Sequence, residues 1–278
     1  MTMDSAIVLP PYEVTAKNYG ADHANKIHSD AGAAEHGFAG ALVPGVVMYA
    51  YLTRPVVDAL GPDWLERGAI SAKFVHPIYD GERVRAEAKI TNSDPLAIDL
   101  QLFNSNGKLC AVGSATIPAE TQNPVSLLNS QNYPARALPP EDARWPATIA
   151  AINIGDVFGS LDFTLDLTNG MTQFLEDMVD GSPLYRGTNA VCHPAFWIAQ
   201  ANEVFMRNIA LGMWIHTASE VQHFALAEDG DRLSLRGRVA DTNEKRGHQI
   251  ITADLAIFGE ADRVIAQIKH TAIIQLKT

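Results

Sequence analysis

The chain has 278 residues, of which 47% are hydrophobic and 19% are charged, so it can form two domains of ordinary size with a substantial buried core. Its formal net charge of -11 would repel a phosphate backbone, so we expect no nucleic-acid partner. The sequence has neither an apolar stretch of membrane-spanning length nor a signal-peptide pattern at its N-terminus, which predicts a cytoplasmic protein without a membrane partner. Cys110 and Cys192 form no disulfide framework and no metal-ligand spacing.

In the first half, an apolar helical pattern from Gly45 to Leu60 is followed by patterns typical of β-strands. The first strand signal is AISAKFVHP, which ends near His76, and the polar turn YDGERV follows it. Further strands are predicted near 84–90, 97–104 and 109–117. This order of elements predicts one helix packed on an antiparallel sheet.

Six prolines among polar residues divide the chain near its middle. They are Pro118, Pro124, Pro134, Pro139, Pro140 and Pro146. Such a composition cannot sustain a helix or a central strand, so it indicates a linker. We therefore predict an N-terminal domain at 1–120, a linker at 121–146 and a C-terminal domain at 147–278.

The second half repeats the order of the first. A helix is predicted at 194–211, the strand signal WIHTASEVQHF ends near His223, the turn EDGDRL follows, and strands are predicted near 233–239, 249–258 and 264–275. His223 corresponds to His76, and Gly230-Asp-Arg-Leu corresponds to Gly81-Glu-Arg-Val. These correspondences indicate a duplicated α+β unit.

The segment before the first helix, YGADHANKIHSDAGAAEHGFAGALVPGV, resembles the active-site motif of the MaoC-like family of R-specific enoyl-CoA hydratases. The family pattern is G-D-x-N-P-x-H, followed by a glycine-rich segment and H-G-M at the helix start. Asn25, His28 and Gly45 fall on this pattern. The resemblance implies a double hotdog fold, in which each long helix is wrapped by an antiparallel sheet.

The resemblance also implies a function, which is the addition or removal of water at a 2-enoyl or 3-hydroxyacyl thioester. In the family, the motif Asp and His share general acid and base catalysis, which gives His28 a catalytic role here. The amides of Gly45 and Val46 would stabilise the thioester oxygen at the helix N-terminus. Because Gly45 has no Cβ, a ligand carbonyl could approach its backbone closely. Asn25 and Thr53 are candidate substrate-binding residues, and no metal or redox cofactor is implied.

One departure from the family pattern concerns the catalytic Asp. Aligned without a gap, His23 replaces that Asp and Asp22 replaces the preceding glycine. A one-residue bulge could bring Asp22 into the site, or His23 and His28 could together bind the water with a neutral imidazole as the base. In the third alternative, the protein does not catalyse hydration.

The second half shows no N-x-x-H element in the matching place, so we expect a degenerate hotdog that completes the sheet and shapes an acyl tunnel. Two other functions stay open. A hotdog thioesterase would need a carboxylate on or near a central helix, for which Glu203 and Asp58 are the candidates, and a non-catalytic protein would only bind the acyl thioester. The expected partner is a small-molecule acyl thioester, and the resemblance also allows a homodimer.

Overall fold

The computed structural model describes residues 7–21, 23, 25–117 and 128–277. Its helices are α1 (Asp30–Glu35), α2 (Gly45–Arg67), α3 (Met171–Asp177) and α4 (Pro194–Asn208). Its strands are β1 (Tyr12–Thr15), β2 (Ala69–Phe74), β3 (Arg83–Ser93), β4 (Leu96–Asn104), β5 (Leu109–Ile117), β6 (Trp145–Pro146), β7 (Leu161–Thr164), β8 (Ile209–Ala210), β9 (Ile215–His223), β10 (Arg232–Lys245), β11 (His248–Phe258) and β12 (Val264–Gln275).

One antiparallel sheet of ten strands joins the two halves, in the order β1-β3-β4-β5-β2-β9-β12-β11-β10-β7. The first five strands of this order come from the first half of the chain and the other five from the second half. The halves meet where β2 pairs with β9, from Ala69 opposite Gln222 to Lys73 opposite Ala218. Each half therefore contributes the strand that completes the other half's sheet.

Both long helices pack on the same face of this sheet. α2 contacts β2 to β5 and also β9, α4 contacts β7, β10 and β12, and the two helices contact each other. In β2, Ile70 and Ala72 are buried whereas Ser71 and Lys73 are exposed, which is the alternation of a sheet with one solvated face. The arrangement confirms the predicted α+β class.

The helix predicted from Gly45 to Leu60 continues to Arg67, but it has a break after Leu60. Gly61 adopts φ 58° and ψ -145°, and Pro62 follows it. A positive φ is readily available to glycine, and proline is suited to the first turn of a new helical segment. The predicted end therefore marks a kink in α2.

Most strand predictions agree with the structure, and the turns after the first strand of each half contain Gly81 (φ 77°) and Gly230 (φ 85°) as expected. Two details differ. His76 lies beyond the end of β2 and is exposed, whereas His223 ends β9 and is buried, so the two histidines are not equivalent. The short edge strands β1 and β7 were not predicted, because four residues give little periodic signal.

The predicted linker at 121–146 is only partly described, since 118–127 lie outside the described residues. From Leu128 onward the segment packs on the second half: Leu128 and Tyr133 form a cluster with Phe258. The Tyr133 hydroxyl donates a hydrogen bond to Asp254 (2.7 Å). The described part of the linker is therefore attached to the C-terminal sheet, while the domain boundaries themselves stay a prediction.

Candidate active site

The predicted motif residues Asn25 and His28 lie on a short 3-10 helix, Lys26–His28. Asn25 is the N-cap, and its side-chain oxygen accepts a hydrogen bond from the Ile27 amide (3.4 Å). Asn is favoured at this position because its short side chain satisfies an amide that the helix leaves free. The amide group of Asn18 donates to the His28 carbonyl (2.9 Å), which holds the end of the turn in place.

The His28 imidazole has a defined orientation. Its Nδ1 lies 2.8 Å from the carbonyl oxygen of Leu42, which can only accept, so Nδ1 carries the proton and Nε2 keeps its lone pair. Gly20 packs against the other side of the ring, where a Cβ would come within 2.9 Å of the ring carbon Cγ. Among the described residues, Nε2 has no hydrogen-bond partner.

The surroundings of His28 also favour the neutral imidazole. Burial lowers the pKa of His28 below its usual value, the bond to Leu42 opposes this shift, and the nearby His23 adds to it. A neutral ring with one free lone pair can accept a proton from water. His28 therefore has the protonation state and the tautomer that a general base requires.

Of the other two residues predicted for acid-base catalysis, the structure describes His23 but not Asp22. His23 is exposed, and its ring contacts Tyr19 edge-on with a centroid distance of 5.2 Å. It is close enough to His28 to affect the pKa of that ring. Asp22 lies outside the described residues. Catalytic roles for His23 and Asp22 stay predictions.

The start of α2 provides the predicted amides of Gly45 and Val46. These are the first amides of the helix and have no hydrogen-bond partner among the described residues. The structure gives the glycine a further reason. A Cβ on Gly45 would lie 2.7 Å from Nδ1 of His216, so the imidazole of His216 occupies the side-chain position.

The predicted substrate-binding residues Asn25 and Thr53 use their polar groups within the protein. The Asn25 side chain donates to the carbonyl of Trp214 (2.9 Å) and accepts from the Trp214 amide (3.4 Å), which joins the motif loop to the second half. Thr53 is fully buried, and its hydroxyl lies 3.0 Å from the carbonyl oxygens of Tyr49 and Ala50 in its own helix. A contact of either residue with substrate stays a prediction.

Three buried residues that were not predicted form one cluster, and His216 connects it to Gly45. Ser219 Oγ is 2.8 Å from His216 Nε2 and 2.9 Å from His270 Nδ1. Burial lowers the pKa of His216 to about 3 and also lowers that of His270, so both rings are neutral. The strand signal WIHTASEVQHF contained two of these residues, but their shared position could not be read from strand periodicity.

The corresponding loop of the second half contains a buried pair, Asp180 and His193. Nδ1 of His193 accepts from the Ala195 amide (3.1 Å), so Nε2 carries the proton and donates to Asp180 (3.3 Å). Arg54 from α2 donates to the other carboxylate oxygen of Asp180 (3.0 Å). Both ring nitrogens of His193 are thus engaged, which indicates a structural role.

The electrostatics of this pair agree with that role. Burial alone would raise the pKa of Asp180, but the bonds from His193 and Ser182 and the charge of Arg54 outweigh it and lower that pKa. Burial lowers the pKa of His193 in spite of its acidic neighbour. The network therefore consists of a neutral imidazole between a helix N-terminus and a carboxylate that is paired with Arg54.

A sequence signal for this second loop was missed. Residues 180–185 read D-G-S-P-L-Y, which has the spacing of the family's D-x-N-P-x-H with Ser182 for Asn and Tyr185 for His. The structure places Tyr185 on His193, with ring centroids 4.5 Å apart. The N-x-x-H pattern does not detect this segment, because both of its defining residues are replaced.

The two carboxylates considered for a thioesterase lie on the helices and form ion pairs within one turn. Asp58 pairs with Arg54 (2.7 Å) and Glu203 pairs with Arg207 (3.3 Å). The charge of Glu203 also acts on Tyr19 of the first half: burial, Asp177 and Glu203, in that order, raise the pKa of Tyr19 to about 12. Glu203 therefore contributes negative charge near the loop that holds His23.

Surface depressions of about 290 to 500 Å³ lie along the strands, and their lining does not include His28, Gly45 or His216. The expected acyl tunnel stays a prediction. Within the described ranges, no group of His, Cys, Asp and Glu is arranged to hold a metal ion. None of the described helices combines the length and apolar character needed to cross a membrane.

Comparison with solved structures identifies the architecture. The chain is similar to a protein from Chloroflexus aurantiacus named as a MaoC domain dehydratase (10% identity, 98% of this chain and 95% of the other, TM-score 0.64). It is also similar to a Mycobacterium tuberculosis protein described as a double hotdog (13% identity, 96% of both chains, TM-score 0.62). A third is named as an oleoyl thioesterase from Lactobacillus plantarum (9% identity, 99% of both chains, TM-score 0.56).

At these identities the likeness establishes the fold, and the chain has the double hotdog fold that the motif resemblance predicted. No protein-family model matches the sequence. No curated protein matches it either.

Proposed function

We propose that the protein is an acyl-thioester hydratase or dehydratase that adds water to, or removes it from, a 2-enoyl or 3-hydroxyacyl thioester. The observation that supports it most is the state of His28: a neutral imidazole with Nδ1 bonded to Leu42 and the Nε2 lone pair free among the described residues. Leu42 lies three residues before Gly45, so the base is anchored beside the start of α2.

In the proposed hydration, Nε2 of His28 removes a proton from water while the water oxygen forms a bond to the β-carbon of the enoyl thioester. The C=C electron pair moves to give an enolate, whose oxygen would be stabilised by the free amides at the start of α2 and by the helix dipole. The α-carbon then takes a proton, either from the His28 imidazolium or from a second acid. His23 and Asp22 are the candidates for that acid.

The test is the loss of enoyl absorbance when the protein is added to crotonyl-CoA, with longer enoyl-CoA chains tried in parallel. We expect His28→Ala to lower kcat/KM by about 10²- to 10⁴-fold, the usual contribution of a positioned general base. His76→Ala is the matched control, because His76 is exposed and distant in sequence from the motif. No turnover of any chain length by the wild-type protein would contradict the proposal.

Thioester hydrolysis is a second candidate, supported by the position of Glu203. Its carboxylate comes from α4 of the second half, yet it influences Tyr19 in the loop of the first half. In that case butyryl-CoA would release free CoA thiol, and Glu203→Gln would abolish the release. The exposed Glu66 on α2 provides the control, Glu66→Gln, which should leave the rate unchanged. Equal thiol release by wild type and Glu203→Gln would exclude this role of Glu203.

A further inference from the structure

Two buried ring nitrogens of the cluster of His216, Ser219 and His270 have no hydrogen-bond partner among the described residues, Nε2 of His270 and Nδ1 of His216, and the second of them lies beside the start of α2. His216 is 6% exposed, and its Nδ1 has no hydrogen-bond partner among the described residues. That atom is the one closest to the side-chain position of Gly45, at 2.7 Å. An unpaired buried nitrogen is costly, so its position next to free helix amides points to a ligand that completes the site.

The protons of the cluster can be counted. Two neutral imidazoles supply two N–H groups and Ser219 supplies one O–H, so the hydroxyl donates to one ring and accepts from the other. If Ser219 donates to Nε2 of His216, then Nδ1 of His216 carries a proton that faces Gly45. If Ser219 donates to His270, then Nδ1 of His216 has only a lone pair. An oxygen atom bound at the helix start would select the first arrangement.

The amides of Gly45 and Val46 also favour an oxygen atom as their ligand. Free amides at a helix N-terminus bind oxygen atoms that carry full or partial negative charge. A protonated Nδ1 of His216 would donate to the same oxygen from the second half of the chain, and the ring cannot carry a positive charge near neutral pH. The two halves would thus supply donors to one acceptor atom.

We propose that the Nδ1–H of His216 and the first amides of α2 together bind the carbonyl oxygen of an acyl thioester. Ser219 and His270 are positioning residues that hold His216 in this tautomer. The inference rests on the proposed function for the class of ligand, and it adds a residue from the C-terminal hotdog to the site.

The first test compares two CoA ligands that differ in the carbonyl oxygen: butyryl-CoA, a thioester, and S-butyl-CoA, a thioether without that oxygen. By calorimetry, we expect the wild-type protein to bind the thioester about tenfold more tightly, since a buried hydrogen bond contributes about this factor. In His216→Gln, whose amide reaches toward Ser219 but not toward Gly45, the preference should fall to about twofold.

His216→Asn is the matched variant, because its side-chain nitrogen can take the place of Nδ1. It should keep most of the preference for the thioester, although it loses the bond to Ser219. An unchanged preference in His216→Gln would overturn the inference, and so would equal binding of both ligands by the wild-type protein.

A second measurement does not need a variant of His216 that folds. With ¹⁵N-labelled histidine, NMR distinguishes a protonated from an unprotonated ring nitrogen. Nδ1 of His216 should be protonated when butyryl-CoA is bound; an unprotonated Nδ1 in that complex would overturn the inference. Ser219→Ala should mix the two tautomers and Ser219→Thr should restore one, a change that a purely structural role of Ser219 would not produce.

Failure of the hydratase proposal would look different from failure of this inference. If crotonyl-CoA is not hydrated but the thioester preference depends on His216, the hydratase proposal fails and the binding site stands. If crotonyl-CoA is hydrated but His216→Gln leaves both the preference and kcat/KM unchanged, the reaction stands and the role of His216 is wrong.

Discussion

The loops that lead into the two central helices each contain a histidine, and the two rings are in different hydrogen-bonding states. In the first half, His28 uses one ring nitrogen to bind Leu42, and its other nitrogen has no partner among the described residues. In the second half, His193 uses one nitrogen for the Ala195 amide and the other for Asp180, which also binds Arg54. A free lone pair allows proton transfer, whereas an imidazole with both nitrogens hydrogen-bonded only makes the loop more rigid.

Under the proposed function, the two loops of the duplicated unit have different tasks, proton transfer in the first loop and structural support in the second. The second half contains the buried pair of Asp180 and His193, and three neutral histidines of its sheet, His216, His223 and His270, are buried as well. The first half keeps His28, whose pKa burial lowers below its usual value and whose Nε2 has no partner among the described residues. If this division is correct, changes in the two loops should separate effects on stability from effects on activity.

The largest expected effect is loss of stability in acid. Burial lowers the pKa of His216 to about 3 and that of His223 to about 4, below the ordinary 6.5. The unfolded chain therefore binds protons below pH 6.5 that the folded protein does not, so stability is complete above this pH and falls as the pH drops toward the folded-state values. Between about pH 6.5 and 4.5, these two rings should lower the free energy of unfolding by roughly 5 kcal/mol.

Urea unfolding at several pH values measures this loss. His223→Leu removes one buried imidazole without touching the first loop, so its free energy of unfolding should depend on pH less steeply, by about one proton. An identical pH dependence in the variant and the wild type would show that His223 does not contribute.

Removing Asp180 should have the next largest effect. Asp180→Ala leaves Arg54 and His193 without their shared partner at a site where the Asp180 side chain is 4% exposed. Breaking such a pair costs about 3 to 5 kcal/mol, which urea unfolding would show. Asp63→Ala, which breaks an exposed pair with Arg67, is the control and should cost under about 1 kcal/mol. Equal losses in both variants would contradict a structural role for the second loop.

Gly45→Ala should destabilise the protein by about 1 to 3 kcal/mol, because the new methyl group would press on His216, whose ring is bonded to Ser219. Gly181→Ala is the matched change in the second loop, where no atom lies within 4 Å of the added carbon. Thermal unfolding of both variants makes the comparison. A midpoint for Gly45→Ala as high as that of Gly181→Ala would mean that the ring of His216 moves freely.

The smallest expected effect is the difference in stability loss between substitutions of Asn25 and Ser182, the residues at the Asn position of the motif in the two loops. Asn25→Ala loses a buried bond to Trp214 of the other half and should cost about 1 to 2 kcal/mol. Ser182→Ala loses only its local bond from the Leu184 amide and should cost about 1 kcal/mol or less. Denaturant midpoints would resolve the difference, and a greater loss in Ser182→Ala would reverse the comparison.

The sequence by itself determined the α+β class, the order of helices and strands, and the region of the first loop, because periodicity, glycine turns and a local motif act over short distances. It also placed His28 and Gly45 next to the first helix. The break in α2, the helix α3 and the short strands β1, β6, β7 and β8 escaped this local reading, since they depend on a few residues and on tertiary packing.

The tertiary structure decided which polar atoms have hydrogen-bond partners. Asn25 bonds to a residue 189 positions away, and the side-chain position of Gly45 is filled by a histidine of the other half. Such contacts follow from the pairing of β2 with β9, which no local pattern encodes. Whether both ring nitrogens of a histidine have hydrogen-bond partners depends on the packed molecule. His28 and His193 therefore differ in this respect although both residues precede a central helix.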